Sequence, residues 1–303
     1  MNKIDKLLVV IDGDEDFSAE GSELPIELQK ALRLVVDKSS TELFLFCVAY
    51  QKHLHHDSLS WDFDQAERRK DYCDQLATNL DVLSTRLLSA GYKLEHEVLW
   101  AYPRYEAIIN KAKEIGADLI VQHTRSYGKL EFHHLTNDSW QLVRHCPLPI
   151  LLVKNEPWHD APTLLAAVDP MHSHHKPLAL DDLILKSALA VQERLSGELH
   201  VIHGYAEAAR PFAPAGVIEG EHRKVMDELL ADYAIPAERQ HFMDETAIAA
   251  LQQETYKLKV DVLVMGAISR SRLSEALIGS TAEKVLDFLA TDVLIVKPKQ
   301  FAM

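Results

Sequence analysis

The residues best suited to chemistry lie between Val260 and Leu286. A continuous apolar run, Val262-Leu-Val-Met265, has the length and type of a strand buried on both faces. Gly266 ends it, and a polar segment with Ser269, Arg270 and Arg272 follows. Gly279-Ser280-Thr281 then opens a helical pattern that continues through Leu286. Such a turn into a helix start presents free backbone N–H groups and the positive helix end to an anion. Glycine lets the backbone approach a ligand closely, and the arginines add donors suited to phosphate oxygens. Each feature also has a plainer reading. Ser280 and Glu283 form a Ser-x-x-Glu capping box, and the arginines can line a solvated loop.

Histidine is the second chemical signal, with 16 in the chain. His53, His55 and His56 form one cluster, His133 and His134 another, and His123 ends an apolar run. Imidazoles from two loops can close a tetrahedral zinc site with a carboxylate such as Asp12. No zinc-binding spacing is matched, so exposed loop histidines are the competing reading. His172, His174 and His175 make a third cluster, in a proline-flanked loop. The turn Asp12-Gly-Asp-Glu-Asp16 faintly imitates a calcium loop, but Phe17 stands where that loop needs glycine.

The elements that must position these residues come in two copies. Leu7-Leu-Val-Val-Ile-Asp12 is echoed by Leu164-Leu-Ala-Ala-Val-Asp169, and Ala117-Asp-Leu-Ile-Val-Gln122 by Val260-Asp-Val-Leu-Val-Met265. Leu148-Pro-Ile-Leu-Leu-Val-Lys154 is echoed by Thr291-Asp-Val-Leu-Ile-Val-Lys297, at the same offset as the second pair. The chain therefore divides into units 1–156 and 163–303, joined by a linker with Pro157 and Pro162. The first unit reads as strands near 6–12, 43–49, 93–99, 118–123 and 149–153, with helices including 24–37, 65–90, 103–115 and 137–145. The second reads as strands near 163–169, 198–204, 239–243, 261–265 and 292–296, with helices near 178–195, 218–233, 245–257 and 280–289. Alternating strands and helices predict an α/β fold with parallel sheets and right-handed crossovers. Ligands of such sheets sit at the carboxyl ends of strands, where strand order reverses. Residues 205–217 read as a small-residue lid able to admit an amphipathic ligand.

The segment from Gly266 to Ser280 resembles the universal stress protein signature, Gly-x-x-Gly, nine residues, Gly-Ser/Thr. Here it reads Gly266-x-x-Ser269, nine residues, Gly279-Ser280, with serine in place of the second glycine. The resemblance implies two tandem five-stranded domains of the adenine nucleotide alpha-hydrolase-like type. It also implies pairing of the fifth strands into an internal pseudo-dimer, with further self-association open. Gly266, Ser269, Gly279, Ser280 and Thr281 match the family's phosphate-loop positions. Asp169 matches the aspartate that contacts the adenine or ribose side of a nucleotide; its plainer reading is a polar strand end. Ser269 adds a side chain where phosphates approach, so the ligand need not be ATP. In the first unit His123 replaces Gly266, Thr136-Asn-Asp138 replaces Gly279-Ser-Thr281, and four carboxylates crowd residues 12–16. No nucleotide is expected there.

A net charge of −14 argues against direct nucleic-acid or anionic-membrane binding. Three scattered cysteines, Cys47, Cys73 and Cys146, suit a reducing compartment, with Cys47 and Cys146 as core residues. No signal peptide or membrane-length apolar run occurs, so the cytoplasm is the expected location. No nucleophile elbow, Walker loop or zinc-peptidase motif points to an enzyme. The favoured function is a non-catalytic stress-response module holding a nucleotide or other phosphate-containing ligand in the second unit, with no required cofactor. A slow nucleotide hydrolase and a ligand-free interaction scaffold are the alternatives.

Overall fold

The computed structural model describes residues 4–13, 17, 23–55, 63–124, 135–171, 179–206, 216–267, 280–288 and 290–298. The first unit runs β1 (Lys6–Val10), α1 (Ile26–Arg33), β2 (Glu42–Ala49), α2 (Lys52–His55), α3 (Phe63–Ser89), β3 (Lys93–Trp100), α4 (Arg104–Ile115), β4 (Leu119–His123), α5 (Asn137–His145) and β5 (Ile150–Val153). The second runs β6 (Thr163–Ala167), α6 (Ala179–Leu195), β7 (Glu198–Gly204), α7 (Val217–Leu230), β8 (Gln240–Met243), α8 (Ala247–Leu258), β9 (Val262–Gly266), α9 (Ser280–Phe288) and β10 (Asp292–Val296). The alternation read from apolar periodicity is thus present. The one-turn helix α2 is an addition to it; Leu54 buries there while its carbonyl accepts from Arg69 Nε at 2.6 Å. Helix α1 is shorter than the periodicity suggested. Leu34 N and Val35 N bond to carbonyls three residues back, and the Asp37 carboxylate then accepts from Ser39 N at 2.9 Å, drawing the chain into a turn.

All ten strands form one sheet in the order β3-β2-β1-β4-β5-β10-β9-β6-β7-β8. Pairing is parallel throughout except at the centre, where β5 and β10 run antiparallel with Leu151 opposite Leu294. The fifth strand of each unit therefore pairs with that of the other, and the tandem repeat closes on itself as an internal pseudo-dimer. Apolar side chains cover both faces of this sheet. One core packs α1, α3, α6 and α7 against it, the other α4, α5, α8 and α9, and each core draws residues from both units. Central strands such as Ile150–Val153 and Asp292–Val296 are buried at every residue, as continuous apolar runs in a two-sided sheet must be.

The repeated Asp after Ala117 and Val260 has a local physical role. Asp118 Oδ2 accepts from Asp5 N and Lys6 N at 2.8 and 3.0 Å, and Asp261 accepts from Thr163 N at 2.8 Å. Each carboxylate satisfies backbone donors at the start of its unit's first strand. The seam carries a buried charge pair that has no such repeat. Asp292 of β10 meets Lys30 Nζ of α1 at 2.7 Å and accepts from Lys154 N and Trp158 Nε1, both at 2.7 Å. Burial pushes Asp292 up to about 6 and lowers Lys30, with the pairing opposing both shifts. Cys47 and Cys146 are buried and Cys73 half-buried, all three as free thiols; burial raises Cys146 to about 11. Among the described residues, no helix is long and apolar enough to cross a membrane.

Candidate functional site

In the second unit, β6 and β9 are neighbours, Ala166 pairing with Val264, and strand order reverses between them. Their carboxyl ends bring Asp169 and Gly266 to one edge of the sheet. The first turn of α6 closes over this point. Asp181 Oδ1 accepts from Asp169 N at 3.0 Å, and a Cβ built on Gly266 would meet Leu180 Cδ2 at 2.7 Å. A side chain at 266 would thus have to displace Leu180, so packing favours glycine there whatever its part in binding. Ser280 and Thr281 open α9, the element that follows the loop. Ser269, Arg270, Arg272 and Gly279 lie outside the described residues, as do His172, His174, His175 and residues 207–215 of the expected lid. Glu283, read as half of a capping box, has its carboxylate 3.9 Å from Arg144 Nη2 of the first unit.

The corresponding edge of the first unit is a cleft of about 500 Å³. The sequence points to Asp12, Gly13, His123 and Thr136-Asn-Asp138 of its lining but not to Arg104, which lies between Asp12 and Asp138. Arg104, at the start of α4, donates from Nη2 to Asp12 Oδ1 at 2.6 Å, and its Nη1 lies 4.0 Å from Asp138 Oδ2. Asp138, in the first turn of α5, accepts from Tyr105 N at 3.0 Å through its other oxygen. It therefore caps the neighbouring helix α4, whose own N-cap, Pro103, has no side chain to do so. Burial raises the Asp138 pKa, with Arg104 and the Tyr105 N–H pulling the other way. Gln122, 2% exposed on β4, donates from Nε2 to Ser139 Oγ at 3.3 Å. Tyr50 stacks on Tyr102 at 4.6 Å between ring centroids, and Tyr72 also lines the cleft. The signal for Asp138 was visible, since it stands where Thr281 stands in the second unit. Arg104 and Tyr50 had none, because their neighbours are remote in sequence.

Only three of the six histidines named as candidate zinc ligands, His53, His55 and His123, fall within the described residues. His53 is exposed on α2, and His123 Nε2 lies 2.8 Å from Asn155 Oδ1. His55 ends α2, while His56, His133 and His134 lie outside the described residues. Among the described residues, no three His, Cys, Asp or Glu side chains gather as a metal-ligand set. Two histidine pairs that the sequence did not announce lie in the second unit. His200 Nδ1 meets His241 Nε2 at 2.9 Å, with His241 Nδ1 3.2 Å from Glu254 Oε2. His203 Nε2 meets His222 Nδ1 at 2.8 Å. Burial lowers the pKa of both His200 and His241. His200 and His203 are three apart on one strand, so they face opposite sides of the sheet and cannot form one cluster.

Comparison with known proteins agrees with this architecture. The model of the universal stress protein family matches residues 3–154 and again 164–297. Universal stress protein E of Photorhabdus laumondii is 28% identical over 321 residues, covering 99% of this chain and 97% of its own. Universal stress protein E of Escherichia coli strain K12 is 28% identical over 225 residues, covering 71% of each chain. A crystal structure of a Pseudomonas aeruginosa protein assigned to the universal stress proteins superposes with a TM-score of 0.76 at 26% identity, covering 99% of this chain and 96% of that one. A universal stress protein of Archaeoglobus fulgidus, at 19% identity and a TM-score of 0.64, shares the fold. With both halves matched in turn and paired through their fifth strands, the chain belongs to the universal stress protein family, as a tandem of the kind that universal stress protein E represents.

Proposed function

We propose that the protein is a cytoplasmic stress-response binding module whose second unit holds a nucleotide or another phosphate-containing ligand, amphipathic ones included. The observation that carries this reading is the convergence of Asp169 and Gly266 at the β6/β9 switch point, beside the element that Ser280 and Thr281 open. Ser269, Arg270, Arg272 and Gly279 supply the connecting loop with donors and a close backbone approach. Binding, rather than turnover, is the function. This reading rests on the sequence, which carries no nucleophile elbow, Walker loop or zinc-peptidase motif. The first unit takes no nucleotide in this reading. Among the described residues Asp12 and Asp138 outnumber Arg104 there, and a polyphosphate would meet that excess negative charge.

Titration of the full chain with ATP, AMP and a nucleotide sugar, read by calorimetry, tests the site. Gly279→Ala/Ser280→Ala is expected to weaken whichever ligand binds by at least about tenfold, the loss of roughly 1.4 kcal/mol. Unchanged affinity in that variant would place the ligand elsewhere. Turnover that disappears with the double variant would convert the reading to a slow hydrolase.

A further inference from the structure

The first unit has lost the phosphate-loop residues, yet its switch point has kept a cleft and rebuilt the lining. Where the second unit has Met265, the first has Gln122, and where the second opens α8 with Ala247, the first opens α4 with Arg104. A degenerate copy under no constraint would fill with apolar side chains, because each polar atom buried without a partner costs free energy. Three such atoms are present instead. Gln122 Oε1, Asp138 Oδ2 and Arg104 Nε are buried and, among the described residues, have no hydrogen-bond partner. All three residues line the same cleft.

We propose that this cleft binds a phosphate-free organic cation, a primary amine carried on a flat ring, with its ammonium group at Asp138 and Gln122. The reasoning is one of complementarity. Gln122 Oε1 and Asp138 Oδ2 are acceptors and call for a ligand that donates. Among the described residues, Asp12 and Asp138 against Arg104 leave the cleft one negative charge in excess, which a monocation neutralises and an anion would worsen. Arg104 Nε is the one orphaned side-chain donor among the described residues of the cleft and suits one neutral acceptor, such as a hydroxyl. The stacked Tyr50 and Tyr102, the latter 62% exposed, offer ring faces at the mouth. Such faces pack against a flat ring and attract an ammonium group through the ring quadrupole. The volume of about 500 Å³ admits a ligand of one or two rings. Ligand and location both differ from those proposed for the second unit, so either proposal can fail alone.

Tyramine and 4-hydroxyphenylacetate make the test, because they share a phenol and differ in the sign of the terminal charge. Calorimetric titration of the full chain is expected to show saturable binding of tyramine and none of 4-hydroxyphenylacetate. Asp138→Asn keeps an acceptor for Tyr105 N and so preserves the α4 cap; it is expected to weaken tyramine at least tenfold. Gln122→Met, which installs the second unit's residue, should weaken it several-fold while the melting temperature moves by no more than about 4 °C. Gly279→Ala/Ser280→Ala should leave tyramine binding untouched. Absence of saturable tyramine binding, equal binding of the carboxylate, or full affinity in a folded Asp138→Asn variant would each overturn the proposal.

Discussion

The two switch points of this molecule have the same strand order and differ in the side chains that line them. In the second, the strand ends are Asp169 and Gly266, and Leu180 fills the space that glycine leaves. In the first, the strand ends are Asp12 and His123, and Arg104 bridges towards Asp138 across the gap between two helix starts. A sheet that reverses strand order always leaves a crevice there. What the crevice recognises depends on a few side chains at strand ends and in first helical turns, which can change without disturbing the core. Duplication thus left one edge that carries the phosphate-loop sequence and one that, among the described residues, sets Asp12 and Asp138 against Arg104, on a single continuous sheet.

The largest effect should come from breaking the seam that holds the two edges in one frame. Lys30→Met leaves Asp292 buried beside Lys154 N and Trp158 Nε1 without its cation. The expected loss is about 3–5 kcal/mol in denaturant unfolding. Asp292 already titrates near 6, above its ordinary value, so between those values the folded state binds the extra proton and stability falls as pH rises. Removing Lys30 raises it further. The penalty of Lys30→Met should therefore be larger at pH 8 than at pH 5, and a pH-independent penalty would contradict the assignment.

Next in size is Gly266→Ala. The new methyl would lie 2.7 Å from Leu180 Cδ2, and Leu180 is fully buried, so it cannot swing aside freely. A loss of about 1–3 kcal/mol is expected by thermal unfolding. No comparable loss is expected for His123→Ala at the matching place, where the side chain reaches out to Asn155. Equal losses at the two positions would erase the packing difference between the edges.

Lys297 gives a pH-resolved effect. Its ammonium group donates to the carbonyls of Val143 and Arg144 at the end of α5, so a second-unit residue caps a first-unit helix. Burial lowers its pKa to about 8. From about pH 8 towards its ordinary value of 10.5, the unfolded chain binds the proton and the folded chain does not. Wild-type stability should therefore rise with pH relative to Lys297→Met across that window, by about 1–3 kcal/mol in denaturant unfolding. The smallest effect belongs to Gln122→Met. It removes an unsatisfied buried acceptor together with one long hydrogen bond to Ser139, and a change within about 1 kcal/mol of zero is expected.

Much of this was legible in the chain itself. The paired runs around Val121 and Val264, and around Leu151 and Leu294, disclosed two copies of one unit, because fully buried parallel strands must be apolar throughout. The signature from Gly266 to Ser280 disclosed the family, because the spacing between a strand end and a helix start is local. The first unit's cleft was far less legible. Arg104 and Asp12 are 92 residues apart, and Tyr105 and Asp138 are 33 apart, joined only once the sheet sets β1, β4 and the two helix starts side by side. An arginine at a helix start looks the same in sequence whether it faces water or two carboxylates.

Sequence by itself therefore determined the class of each element, their order, the duplication and the loss of the phosphate signature from the first copy. Those are properties of periodicity and local spacing, carried within ten or twenty residues of chain. The pairing of β5 with β10 into one sheet was implied by the family resemblance, while tertiary structure alone decided that Lys30 and Lys297 cross between units to a buried carboxylate and a helix end. It also decided that a copy without its phosphate loop still has a cleft lined by Gln122, Arg104 and Asp138. Burial and partnership depend on which distant segments meet, and no local pattern encodes that meeting.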